Sequence, residues 1–235
     1  MVTNETHQRF KDADFYNPNL DVIILGLGGI GSYVSNCLCR QGYEMYLYDF
    51  DTVETINIGS QLFNTSNVGK NKAEVAKELA NQFGNYNVMS MGKFEEDSPV
   101  GNIMFSCFDN MKYRKIAFER WLAYQVSKTK EYREANPNEV NCFIDGRMSA
   151  EQWQVYFVKS TADAKRYMTT LFDDSEVPDA PCSYKATAQT GFGIGAYMST
   201  VFLNHVANKK LGLPVRETVF ETKWFASSLT FEKNV

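Results

Sequence analysis

Residues 24–32 read ILGLGGIGS, setting Gly26, Gly28, Gly29 and Gly31 between an apolar run and a helix-forming segment. A turn stripped of side chains lets a phosphate approach backbone N–H groups, and the start of a helix adds the positive end of its dipole. Asp49 closes the next apolar run, where a carboxylate can accept hydrogen bonds from a ribose hydroxyl. NAD and ATP both carry phosphates and that ribose, so these residues leave the ligand open between the two. The same glycines also fit a tight strand-to-helix turn that holds no ligand.

Further along, Asp51 follows the second apolar run and suits either a turn cap or a ligand contact. Asp109 and Asn110 precede a helical pattern, where Asp and Asn are favoured as caps; capping and metal binding do not exclude each other. Arg114 suits a structural ion pair as well as a substrate contact. His7 and His205 are isolated and carry no catalytic assignment. The cysteines Cys37, Cys39, Cys107, Cys142 and Cys182 include no C-x-x-C pair, which fits a reducing compartment and gives no structural-zinc spacing. The first four sit in helix or strand patterns and read as core. Cys182 lies in DAPCSYKA, a polar loop ahead of a helix whose N-terminus can lower a thiol's pKa; it reads as either a nucleophile or an inert loop cysteine.

The elements that must position these residues follow from the hydrophobic pattern. DVIIL (21–25) is a β-branched run typical of a strand buried on both faces. A helix follows from Ser32 to Gln41, closed by Gly42, and EMYLYDF (44–50) is the second strand. Ala73, Ala76, Leu79, Ala80 and Phe83 fall at helical spacing before Gly84. YNVMS (86–90) and NIMFSC (102–107) are strands, a helix over 111–126 turns Tyr113, Ile116, Ala117, Trp121 and Tyr124 to one face, and NCFIDG (141–146) is a strand. This alternation implies an α/β fold with a doubly wound, mainly parallel, Rossmann-like sheet and ligands at the carboxyl ends of its strands. WQVYFV (153–158) alternates like an antiparallel strand, and residues 160–185 are polar, with an acidic run DDSEVPDAP, and read as a long crossover loop. Residues 186–208 return to helix, and residues 217–232 form two short antiparallel strands.

With 235 residues, 44% of them hydrophobic, the chain can bury one sizeable core, so a single domain spans 1–235: an N-terminal arm (1–20), the crossover loop (160–185) and C-terminal strands (209–235). A net charge of −4 offers no basic field, which excludes nucleic acid as a partner. No apolar run reaches the ~18 residues of a membrane span, and no charged-then-apolar leader opens the chain, so a cytoplasmic protein is expected.

Residues 49–73, DFDTVETINIGSQLFNTSNVGKNKA, decide between the two ligands. They resemble the adenylation signature of the ThiF, MoeB and ubiquitin-activating-enzyme superfamily, an acid-rich step leading to Asn57, Gln61 and a G-x-x-K-A helix start. The G-x-G-G-x-G at 26–31, SCFDNMKYR (106–114) and FIDGRM (143–148) fall in that family's order. The resemblance implies ATP and Mg²⁺ as cofactors: Asp49 on the ribose, Asn57 and Gln61 on the triphosphate, Lys72 binding and polarising it, and Asp109 on magnesium, with Cys182 as a candidate acyl acceptor. It also implies a homodimer, for which the small-residue helix near Gly195 and the C-terminal strands offer surface, and a ubiquitin-like or sulfur-carrier partner with a Gly-Gly tail. The expected reaction is adenylation of that tail's carboxylate. Ser60 stands where the family has an arginine, and serine gives no bidentate charged contact to phosphate. Two other readings stand beside it: a nucleotide-binding scaffold without catalysis, and an NAD-dependent oxidoreductase, which NIGSQ and the G-x-x-K step argue against.

Overall fold

A computed structural model describes residues 9–173 and 186–234. Its frame is one eight-stranded sheet in the order β3-β2-β1-β4-β5-β6-β7-β8. The parallel half comprises β1 (Asp21–Leu25), β2 (Glu44–Tyr48), β3 (Val88–Gly92), β4 (Ile103–Ser106) and β5 (Cys142–Met148). The antiparallel half continues from β5 through β6 (Gln152–Val158), β7 (Glu221–Phe225) and β8 (Thr230–Asn234). Strand order reverses at β1, which pairs with β2 on one side and β4 on the other, and that crevice is where open α/β sheets bind ligands. The fold class expected from the sequence is the one observed.

Helices cover both faces. On one, α1 (Gly31–Cys39), α2 (Lys72–Gln82) and α6 (Ala188–Leu211) bury Val34, Leu38, Ala76, Ile194, Met198 and Phe202 against the sheet. On the other, α3 (Met111–Ser127) and α5 (Thr161–Met168) bury Phe118, Trp121 and Tyr167. Gly191 and Gly195 let α6 lie directly on α1: a Cβ added to Gly195 would stand 2.6 Å from the Tyr33 Cβ. The glycine side of α6 therefore packs within the chain, while Phe192 and Ala196 on the same helix remain exposed.

Three local expectations change. Residues 160–185 are not all loop, because Ser160 accepts a hydrogen bond from the Asp163 N–H and starts α5. A short helix, α4 (Lys130–Ala135), capped by Thr129, follows α3. On α3 itself Tyr124 is exposed, while Arg114 and Phe118 join Ala117 and Trp121 on the buried face.

Candidate functional site at the carboxyl ends of β1, β2 and β4

The glycine turn is clamped from both sides. The Gly26 N–H donates to the Tyr48 carbonyl at 2.8 Å and the Cys107 N–H to the Leu25 carbonyl at 2.8 Å, tying the ends of β2, β1 and β4 together. Gly26 has φ +84° and lies against the Cys107 carbonyl, while a Cβ on Gly31 would fall 1.8 Å from the Gly26 carbonyl oxygen. A Cβ on Gly29 would meet the Met148 side chain at 2.8 Å. Packing inside the chain thus demands Gly26 and Gly31, while at Gly29 only the flexible end of Met148 would have to move. Gly28 differs, since a Cβ there would find only the Gln61 Nε2, at 3.9 Å. Among the described residues no acceptor takes the N–H of Gly28, Gly29 or Ile30. Free N–H groups at the start of α1 are the makings of an anion site.

Asp49 holds this turn in shape. Its Oδ2 accepts from the Leu27 N–H at 2.6 Å and its Oδ1 from the Asp51 N–H at 2.8 Å. Burial pushes its pKa above the usual carboxylate range, against the pull of those two N–H groups and of Lys72. Asn71 caps α2 through the Glu74 N–H, and its amide donates to the Asp49 and Asp51 carbonyls at 3.0 and 3.2 Å. This cap fixes the next residue, Lys72, whose largely buried side chain places Nζ 3.2 Å from the Asp51 carboxylate. Asp49 thus provides the side-chain cap of this turn, and the exposed carboxylate of Asp51 pairs with Lys72.

The segment after β2 brings the remaining candidates. Asn57 Oδ1 accepts from the Glu54 N–H at 2.9 Å, closing a 3₁₀ turn over Thr55–Asn57, which leaves its NH₂ donors for other contacts. Gln61 lies beside Gly28 with its Oε1 buried and without a partner among the described residues. Ser60 is half-buried in the same segment. Asn110 caps α3 by accepting from the Tyr113 N–H at 3.0 Å, and the exposed Asp109 beside it carries its carboxylate at the end of β4. No three His, Cys, Asp or Glu side chains form a metal cage among the described residues. One exposed carboxylate alongside substrate phosphates is nonetheless a donor set that suits Mg²⁺, which keeps much of its water.

Arg114 belongs behind the site. It pairs with the fully buried Asp145 and donates to the carbonyls of Gly146, at 2.8 Å, and Phe108. Burial raises the thiol pKa values of Cys107 and Cys142, and that of Cys39 to about 12, as expected of core cysteines. Cys182 and His7 lie outside the described residues. Sequence reading assigned nothing to Ser32 or Met148, although the serine directly follows Gly31 and the methionine ends the FIDGRM run.

A doubly wound sheet, an N–H-lined glycine turn at its strand-order reversal and an acidic residue closing β2 define a Rossmann-like class of α/β protein. The chain belongs to the ThiF family, which it matches over residues 18–218. Ubiquitin-like modifier-activating enzyme 5 of Dictyostelium discoideum is 34% identical over 117 residues, covering 41% of this chain and 30% of that protein. The enzyme of the same name from Mus musculus is 30% identical over 114 residues, covering 40% of this chain and 28% of that one. The match thus spans less than a third of each relative's length. Among solved structures, Escherichia coli MccB superposes with a TM-score of 0.66 at 17% identity, covering 99% of this chain and 70% of that one, and PaaA with 0.60 at 16% identity, covering 97% and 74%. These structural likenesses concern the fold. Among the described residues no helix is long and apolar enough to cross a membrane.

Proposed function

We propose that this chain is an ATP-dependent adenylyltransferase acting on the C-terminal carboxylate of a ubiquitin-like or sulfur-carrier protein with a Gly-Gly tail. The observation that carries the reading is the N–H groups of Gly28, Gly29 and Ile30, which no acceptor takes among the described residues, with the Gln61 amide Nε2 facing Gly28 and with Lys72, whose charge reaches the Asp49 carboxylate that holds the turn. The family and the names of its relatives support the choice of ATP over NAD. A solved structure of MccB is described with ATP.

In this reading the ribose lies against Asp49 and the phosphates lie over the glycine turn. The carrier's carboxylate oxygen attacks the α-phosphorus; a new P–O bond forms as the bond to pyrophosphate breaks. Negative charge grows on the α-phosphate and on the leaving pyrophosphate, and fixed N–H donors and Lys72 are placed to stabilise it without reorganising. Asn57 and Gln61 contribute amide N–H donors. Asp109 would hold Mg²⁺, which supplies charge neutralisation on the phosphates. A homodimer in the cytoplasm completes the reading.

ATP–pyrophosphate exchange with carriers ending in Gly-Gly tests it. Exchange that requires both the carrier and magnesium is expected, and Ser60→Arg is expected to speed it by restoring a charged donor. ATP binding without exchange by wild type and variant alike would favour a scaffold instead.

A further inference from the structure

The sequence GIGS places a hydroxyl immediately after the last glycine of the turn, and the fold gives that hydroxyl two partners distant from each other in the chain. Ser32 is 2% exposed. Its Oγ donates to the Gly28 carbonyl at 2.7 Å and accepts from the Leu62 N–H at 3.1 Å. The backbone N–H of Ser32 also donates to the Gly28 carbonyl, at 3.2 Å.

Both contacts bear on the nucleotide crevice. The Gly28 carbonyl and the Gly29 N–H belong to one peptide plane, so holding the carbonyl toward Ser32 turns the N–H the opposite way. That N–H is among those with no described acceptor. At the other contact, Leu62 follows Gln61, whose Nε2 faces Gly28 and whose buried Oε1 has no partner among the described residues. One residue further, Phe63 is sunk in a small core with Val53 and Val75, which anchors the segment from its far side. A single hydroxyl thereby joins the glycine turn to the segment carrying Ser60 and Gln61.

We propose that Ser32 is a positioning residue that sets both halves of the phosphate-binding surface, acting through the Gly28–Gly29 peptide and the Leu62 amide. It does not touch the nucleotide itself. Removing the hydroxyl leaves the Leu62 N–H without its acceptor and frees the Gly28–Gly29 peptide to rotate, as the Ser32 N–H alone remains on the carbonyl. Phosphate contacts then loosen, while the ribose side, set by Asp49, keeps its geometry. The inference rests on the nucleotide reading above.

The test compares wild type with Ser32→Ala and Ser32→Thr, using magnesium-ATP and AMP as probes in calorimetry and amide hydrogen exchange at Leu62. Ser32→Ala is expected to weaken ATP at least tenfold and to lower the ratio of ATP to AMP affinity at least fivefold, with protection lost at Leu62. Ser32→Thr retains the hydroxyl and is expected to preserve that ratio even where the added methyl lowers the melting temperature. Equal losses for ATP and AMP in Ser32→Ala, or unchanged protection at Leu62, would overturn the inference. A wild-type protein that binds no magnesium-ATP would overturn the nucleotide reading and the phosphate half of this inference together, while exchange at Leu62 would still decide the tether.

Discussion

Two sets of opposite charges flank the carboxyl ends of the parallel strands, and they are built in opposite ways. Around Asp145, which is completely buried, everything is closed: Arg114 holds one carboxylate oxygen, and Arg147 Nε reaches the other at 2.9 Å. Arg114 goes on to two backbone carbonyls, and Arg147 to the Thr170 carbonyl and hydroxyl, both at 3.0 Å, with its guanidinium over the Tyr156 ring. Around Lys72 the arrangement is open. Its buried stem delivers the ammonium to Asp51, whose side chain is 54% exposed. A saturated network has no capacity for a ligand and serves the fold; a lysine with one exposed partner can take on phosphate at little cost.

The contrast is broken most forcefully at its closed end. Asp145→Ala leaves the buried Arg114 and the part-buried Arg147 without their carboxylate, and breaking a buried pair in this way costs about 3–5 kcal/mol. Urea denaturation should register that loss, and a midpoint equal to wild type would remove the distinction between the two clusters. At the open end, Lys72→Ala should lower stability by under about 2 kcal/mol, since the pair is partly solvated. Its adenylation rate should fall about 100- to 1000-fold, the usual cost of deleting one preorganised donor to developing charge. Calorimetry and pyrophosphate exchange on one sample separate the two effects.

A third buried group sharpens the comparison through pH. His205 shares a 3.1 Å hydrogen bond with the Asn141 carbonyl and packs on Phe157, and burial, with help from Lys209, lowers its pKa to about 4. The unfolded chain takes up a proton near pH 6.5 while the folded chain does not, so this contribution to stability is complete above about pH 6.5 and is lost as pH falls toward 4. Thermal melts of wild type should decline over that window more steeply than those of His205→Gln, and parallel slopes would contradict the assignment. The smallest effect belongs to Asp51→Asn. Loosening a pair of about 1 kcal/mol or less corresponds to at most about a fivefold weaker ATP affinity. A loss as large as that of Lys72→Ala would mean that Asp51 meets the ligand itself.

The glycine turn was legible in sequence because its requirement is local: Gly31 faces a carbonyl only five positions back, and no other residue type fits there. The Asn71 cap that fixes where α2 begins is visible only in the structure, but Lys72 was legible through the G-x-x-K-A step at the start of a helical pattern. The Lys72–Asp51 and Arg114–Asp145 pairings were not, since each joins residues that only the sheet's wrapping brings together. The buried face of α3 was misread for the same reason. Periodicity counts an arginine as solvent-facing, and Arg114 is buried because Asp145 awaits it. By contrast α5 did carry a local signal, Ser160 three positions before Asp163, but the polar composition around it masked the cap.

On the proposed function, the crevice at the carboxyl ends of β1, β2 and β4 takes magnesium-ATP. Calorimetric titration of the wild-type chain with ATP and, separately, with NAD, each with and without magnesium, tests it most directly. Magnesium-dependent ATP binding that Lys72→Ala weakens severely, with no comparable affinity for NAD, is the expected result; tight NAD binding, or ATP binding indifferent to Lys72, would contradict it.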